Sequence, residues 1–211
     1  MAELDTVQLS WTVYNRQVQP PRSPGQRAGL THARVLAAAR ELLAESGFEA
    51  LTMRSLALRL DVSPNALYSH VMSKTALIDD VLDDVLSEVT TPDSDIEDPS
   101  AGLHAIMAST HEVLLAHSDL VPLFLARQGA RGPNAQGLGE IVLTLLAREG
   151  VDGPRAREAL RVLIVYTIGF TAFATQAPLM PKAQQESSTG ELARNFDNGL
   201  RWLLNGIAAP H

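Results

Sequence analysis

From Thr31 onward the apolar residues return every three or four positions, and no run alternates with the period of two that a half-buried strand requires. The expected fold is therefore all-α. Helix starts and stops are written into the same stretch. Thr31 can cap a first helix whose inner stripe is Val35, Leu36, Ala39, Leu42 and Leu43, and Gly47 stands where that helix needs a left-handed residue to end. A short second helix opens at Thr52 and buries Met53, Leu56, Ala57 and Leu60. Ser63 caps a third, with Pro64 at the first position, where a missing N–H costs nothing. Ser73 caps a fourth, carrying the long stripe Leu77, Ile78, Val81, Leu82, Val85 and Val89.

Three segments follow from this pattern. Residues 1–29 lack periodicity and contain Pro20, Pro21, Pro24, Gly25 and Gly29, so they read as a flexible N-terminal arm. The polar stretch Thr90 to Ser100, with Pro92 and Pro99, separates a unit over 30–90 from a second helical unit over 91–211. In that second unit the spacing predicts helices near 100–117, 119–129, 134–149, 154–176 and 189–208. No basic start followed by an apolar run marks a signal peptide, and the greasiest stretch, Leu163 to Ala174, is short of the roughly 20 residues a membrane span needs. No membrane association is expected, and the absence of cysteine fits a reducing cytoplasm while removing disulfides and thiolate chemistry.

The net charge of −7 is unevenly spread. Residues 1–75 hold eight Lys/Arg against six Asp/Glu, and the remainder holds nine against eighteen. A mildly basic front on an acidic body leaves a local surface for phosphate.

The most informative segment is LTMRSLALRLDVSPNALYSHVMSKTALIDDVL, Leu51 to Leu82. Two short helices joined by Asp61-Val62-Ser63 have the dimensions of a helix-turn-helix, held by Leu56, Leu60, Val62, Leu67 and Val71. Asp61 stands where such a turn usually has glycine. The exposed face of the second helix is small and polar, with Asn65, Ser69 and His70 beside Tyr68, and suits a DNA major groove. This segment resembles the DNA-binding signature of the tetracycline-repressor (TetR) family. Leu67, Tyr68, His70 and Lys74 match the family's Leu-Tyr-x-His and following Lys, and Ala76, Leu77 and Asp79 continue the match. Val71 stands where many members have Phe. The resemblance covers about residues 31–85 and implies an N-terminal three-helix DNA-binding domain followed by a helical ligand-binding and dimerisation domain. It implies that Tyr68 and Lys74 grip phosphates, that Ser63, Asn65, Ala66 and Ser69 face bases, and that Thr52 and Arg54 add phosphate contacts. Competing roles stay open: half-buried core for Tyr68, packing for His70, solvated surface for Lys74. Arg22 and Arg27 on the arm are either minor-groove contacts or free.

Asp79, Asp80, Asp83 and Asp84 recur four apart, and with no His or Cys nearby they read as a solvated acidic face rather than a metal site. The helix near 154–176 is apolar almost all round, and the last helix carries Leu192, Phe196, Leu200, Leu203, Leu204 and Ile207. Both fit a homodimer built through the last two helices, and the resemblance implies the same four-helix bundle. A two-fold dimer calls for a palindromic double-stranded operator. The resemblance also implies a small-molecule effector, for which His104, Met107, His111, Phe124, Tyr166 and Phe170 are the candidate contacts, against an alternative as ordinary core. No phosphate loop, metal-spaced cluster or nucleophile with a supporting base is present, so neither a cofactor nor an enzymatic activity is expected.

Overall fold

The computed structural model describes residues 29–93, 95–175 and 182–209, with side chains from 190 in the last segment. The arm residues Arg22 and Arg27 lie outside the described residues. Helix α1 (His32–Ala50) begins at Thr31, whose Oγ1 accepts the Arg34 N–H at 3.2 Å. Gly47 interrupts its last turn at φ 76° and ψ 179°, a conformation open in practice only to glycine. In α2 (Met53–Arg59), Thr52 and Ser55 cap each other's backbone N–H groups. In α3 (Pro64–Leu67) the Ser63 hydroxyl accepts from Ala66 N–H, and in α4 (Lys74–Leu86) Ser73 accepts from Ala76 N–H. Each hydroxyl satisfies one of the donors that a helix start leaves unpaired.

The α2–α3 turn is made by Asp61 in the left-handed region, at φ 51°. Asp61→Gly removes the penalty on its Cβ, so the variant is expected to gain about 1 kcal/mol. A melting temperature at or below that of the wild type would show that this turn is not strained.

The rear comprises α5 (Pro99–Ala116), a 3₁₀ turn (Ser118–Leu120), α6 (Val121–Arg127), α7 (Pro133–Arg148), α8 (Gly153–Thr175) and α9 (Lys182–Ala208). The last helix starts at Lys182, earlier than the 189 read from the apolar stripe, because its first turns are polar and carry no stripe. Two apolar clusters hold the helices together. One joins Leu43, Leu67 and Leu82 of the front to Leu114, Phe124 and Ile168 of the rear. The other gathers Leu103, Ile106, Leu146, Leu163, Phe196 and Leu200. Leu86, in the last turn of α4, packs against both. Helix α4 is therefore a seam, and it cannot tilt without disturbing one of the clusters.

Helix α8 runs 23 residues and is, by length and composition, apolar enough to cross a membrane. The greasy stretch is thus part of a longer helix than its apolar run suggests. It begins with Arg155, Arg157, Glu158 and Arg161 and packs against α5, α6, α7 and α9, which makes it a core helix. Its outer face keeps Val162, Val165 and Phe173 exposed.

Candidate nucleic-acid interface and internal cavity

The front presents one polar face. Leu67 is fully buried and turns its neighbour Tyr68 outward, 53% exposed, at the C-terminal end of α3. Ser63, Asn65 and Ser69 are exposed on the same short helix or its flanks, and His70 is half-buried just beyond it. The Ser69 hydroxyl donates to the Ala66 carbonyl at 2.7 Å and keeps its lone pairs for an outside donor. Thr52 and Arg54 are exposed at the start of α2.

Two residues depart from the expected roles. Ala66 is buried, because at its place in α3 the methyl points back toward the core rather than at a groove. Lys74 is half-buried and already engaged: its Nζ donates to the Phe48 carbonyl at 3.1 Å and sits 4.0 Å from the Phe48 ring centre. That side chain ties the start of α4 to the end of α1, and Phe48 holds it by a hydrogen bond and a cation–π contact.

The acidic residues of α4 are more than a solvated face: each is tied to another helix, two of them to α1. Asp79 takes a bidentate pair from Arg127, at 2.7 and 2.6 Å, at the end of α6. Asp80 lies 3.6 Å from His32 at the start of α1. Buried Asp83 caps α7: its carboxylate accepts the Ala135 N–H at 2.9 Å and, at 3.1 Å each, the Asn134 N–H and side-chain amide. Gly132 permits this approach, since a Cβ there would fall 2.3 Å from the carboxylate carbon. Asp84 accepts from Arg40 of α1 at 3.0 Å, and Arg40 also donates to Glu88 at 2.9 Å. Glu88 is held below the usual carboxylate range, first by its bond to His117 and then by Arg40. Partners for these carboxylates come from α1, α6, α7 and the end of α5, so α4 reports on all of them. Among the described residues no group of three or more His, Asp or Glu is arranged to hold a metal ion.

Behind α4 lies a cavity of about 120 Å³, bounded by Leu86, Met107, Phe124, Val142, Leu160 and Ile168, with Thr110, Gln128 and Thr167 as its polar side chains. Of the six residues proposed from sequence, Met107 and Phe124 line it. The other four do not. His111, Tyr166 and Phe170 fill space instead, around Phe196 of α9: His111 stacks on Phe196 at 3.9 Å and meets Phe170 edge-on at 5.9 Å. The Tyr166 hydroxyl donates to the Phe196 carbonyl at 2.8 Å, over Gly199, where a Cβ would come within 2.2 Å of the phenol oxygen. His104 pairs with Asp197 at 2.5 Å, bridging α5 to α9. Sequence periodicity could not find the threonines or Gln128, because nothing in the spacing separates a lined void from a filled core.

His111 illustrates the filled part. The Thr171 hydroxyl donates to the Thr167 carbonyl at 2.7 Å, so it accepts from His111 Nδ1, also 2.7 Å away. Burial pushes the imidazole down to about 4. An unfolded histidine titrates near 6.5, so its contribution to stability is complete above that pH, falls as pH drops toward 4, and is flat below. The loss over that window is expected to reach about 3 kcal/mol. His111→Gln should flatten that window; urea denaturation of both proteins at pH 7 and pH 4.5 checks it. Equal acid losses in the two proteins would assign the acid sensitivity elsewhere.

A protein whose described residues are helical throughout, with a helix-turn-helix front locked to an α-helical rear that holds a partly open cavity, belongs to the class of helix-turn-helix regulators. Residues 35–81 match the family described as bacterial regulatory proteins, tetR family. A helix-turn-helix-type transcriptional regulator of Saccharopolyspora erythraea is 29% identical over 90% of this chain and 90% of its own. Among solved structures, BioQ with its double-stranded DNA operator is 30% identical, with a TM-score of 0.67 over 86% of this chain and 100% of that one. The Streptomyces coelicolor TetR family protein ActR, in complex with (S)-DNPA, is 27% identical with a TM-score of 0.67, over 86% of this chain and 98% of that one. The chain belongs to the tetR family of bacterial regulatory proteins.

Proposed function

We propose that this chain is a homodimeric transcriptional repressor that binds a palindromic operator through α2 and α3 and leaves it when a small molecule enters the cavity behind α4. The observation that carries the DNA-binding half is the outward polar face of α3, held on a core that continues into the rear. Ser63, Asn65 and Ser69 read the groove, with His70 beside them, and Tyr68, Thr52 and Arg54 anchor the phosphates. Lys74 acts by fixing α4 to Phe48 more than by reaching phosphate. The front over residues 30–90 reads DNA, and the rear over 91–211 senses and dimerises. BioQ was captured on its operator and ActR with a small molecule, and both kinds of partner suit this architecture. The protein acts on chromosomal DNA in the cytoplasm and catalyses nothing.

Dimerisation uses the outer faces of α8 and α9. Val162, Val165, Gly169 and Phe173 recur at helical spacing on α8, and Trp202 and Gly206 do so on α9, all exposed in the single chain. Release works through α4. Leu86 borders the cavity, as do Gln128 beside Arg127 and Ala135 beside Asn134. A ligand that rearranges this wall moves the groups that grip Asp79 and Asp83, and with them the separation of the two α3 helices. The ligand shifts that equilibrium only by its difference in affinity for the two arrangements.

Selection of bound sites from random double-stranded DNA tests the reading. The wild type should enrich a palindrome, bind it less well as salt rises, and lose about tenfold or more in affinity with Tyr68→Ala. No enrichment by folded, dimeric protein would overturn it.

A further inference from the structure

We infer that the effector is a neutral, ring-sized, mainly apolar molecule carrying one hydroxyl or carbonyl group, read by Thr167 and Thr110; this rests on the cavity being the effector site. Size comes first. A cavity of about 120 Å³ is on the order of the roughly 150 Å³ that accommodates benzene in a protein interior, and well below the space a drug-sized ligand takes. Room exists because the wall facing Leu160 and Ile168 is made of Gly129, Ala130, Ala135 and Gly139, which send little side chain inward.

Charge is excluded next. Among the described residues, none that borders the cavity is ionisable. The nearest carboxylates on α4, Asp79 and Asp83, have their oxygens committed to Arg127, Asn134 and Ala135. An ion entering this space would give up water for no opposite charge, a cost far larger than a neutral group pays.

The polar atoms then define the functional group. The Thr110 hydroxyl spends its proton on the Ile106 carbonyl at 2.7 Å, leaving an oxygen that can only accept. Among the described residues, the Thr167 hydroxyl, on the facing helix α8, has only the Met107 sulfur at 3.7 Å as acceptor, a weak partner that a ligand oxygen would replace. One wall thus offers an acceptor and the other a spare donor. An alcohol satisfies both, and a carbonyl satisfies Thr167. Gln128 is exposed at the rim and can add a carboxamide contact there.

Fluorine NMR of the full-length protein with 4-fluorobenzyl alcohol, 4-fluorotoluene, 4-fluorobenzoate and 4-fluorobenzylammonium tests this directly. The alcohol should bind at least about 100-fold more tightly than either ion. Thr167→Val should weaken the alcohol about tenfold while leaving fluorotoluene unchanged or tighter, a split that misfolding cannot produce. Gly139→Leu should abolish binding of both neutral probes; a Cβ at that position meets nothing nearer than Leu160 Cδ2 at 3.8 Å, so the backbone accepts it. An ion that binds as well as the alcohol overturns the inference, as does equal loss of alcohol and fluorotoluene in Thr167→Val, or absence of any neutral binding sensitive to Gly139→Leu. The effector reading fails separately. If compounds that release operator DNA act equally on Gly139→Leu, the cavity is not the sensor. If charged compounds release it and Gly139→Leu blocks them, the sensor stands and the ligand class falls.

Discussion

Asp83→Ala is expected to destabilise the protein by about 3 kcal/mol, the largest loss for any carboxylate on α4. The carboxylate is 5% exposed and accepts two backbone N–H groups from the first turn of α7. Those donors have no helical partner of their own, and the positive end of the helix dipole adds to the attraction. Alanine leaves them buried and unpaired, beside a void where the carboxylate lay. For a chain of this size that loss corresponds to a fall of roughly 6–12 °C in melting temperature. Asp83→Asn keeps the shape and one acceptor oxygen, so it should lose less than half as much. Thermal denaturation of the three proteins decides the matter. A change under about 0.5 kcal/mol in Asp83→Ala would mean that water replaces the cap, and α7 would not be anchored to α4 as described.

The same residue marks the boundary of what the sequence discloses. Caps are local, and Thr31, Thr52, Ser63 and Ser73 each bond the N–H three residues on, so four helix starts could be read from residue type and spacing alone. Asp61 was legible in the same way, as a non-glycine in a turn that needs positive φ. The roles of Asp79, Asp83 and Asp84 were not. Their partners Arg127, Asn134 and Arg40 lie 44 to 51 positions away, and only the folded chain brings them together. A carboxylate every four residues looks identical whether water or another helix faces it.

The cavity was hidden for a related reason. His111, Tyr166 and Phe170 have the size and polarity of ligand contacts, but they satisfy one another and Phe196. The void lies where Gly129, Ala130, Ala135 and Gly139 fail to fill space, and small residues leave no periodic signal. Aromatic residues attract attention in a sequence because they are large, and for that reason they are often what closes a space rather than what opens it.

Val165→Glu should make the protein a monomer at micromolar concentration and lower its operator affinity by on the order of 1,000-fold or more. Val165 is 70% exposed in the single chain and lies between Val162 and Gly169 on the outer face of α8, flanked by Leu203 of α9. Two such faces related by a two-fold axis bring each Val165 near the centre of the contact, where a carboxylate would be buried against apolar surface or against its own copy. The fold of each chain has no stake in this side chain, so helicity should be unchanged. DNA affinity falls steeply because two half-sites held by one rigid dimer combine their binding free energies, and a lone α3 has only its own contacts. Sedimentation at several concentrations, followed by titration of the selected operator, separates the two effects. A dimer that survives Val165→Glu would move the interface off α8, and a monomer that still binds tightly would mean that one front alone reads the operator.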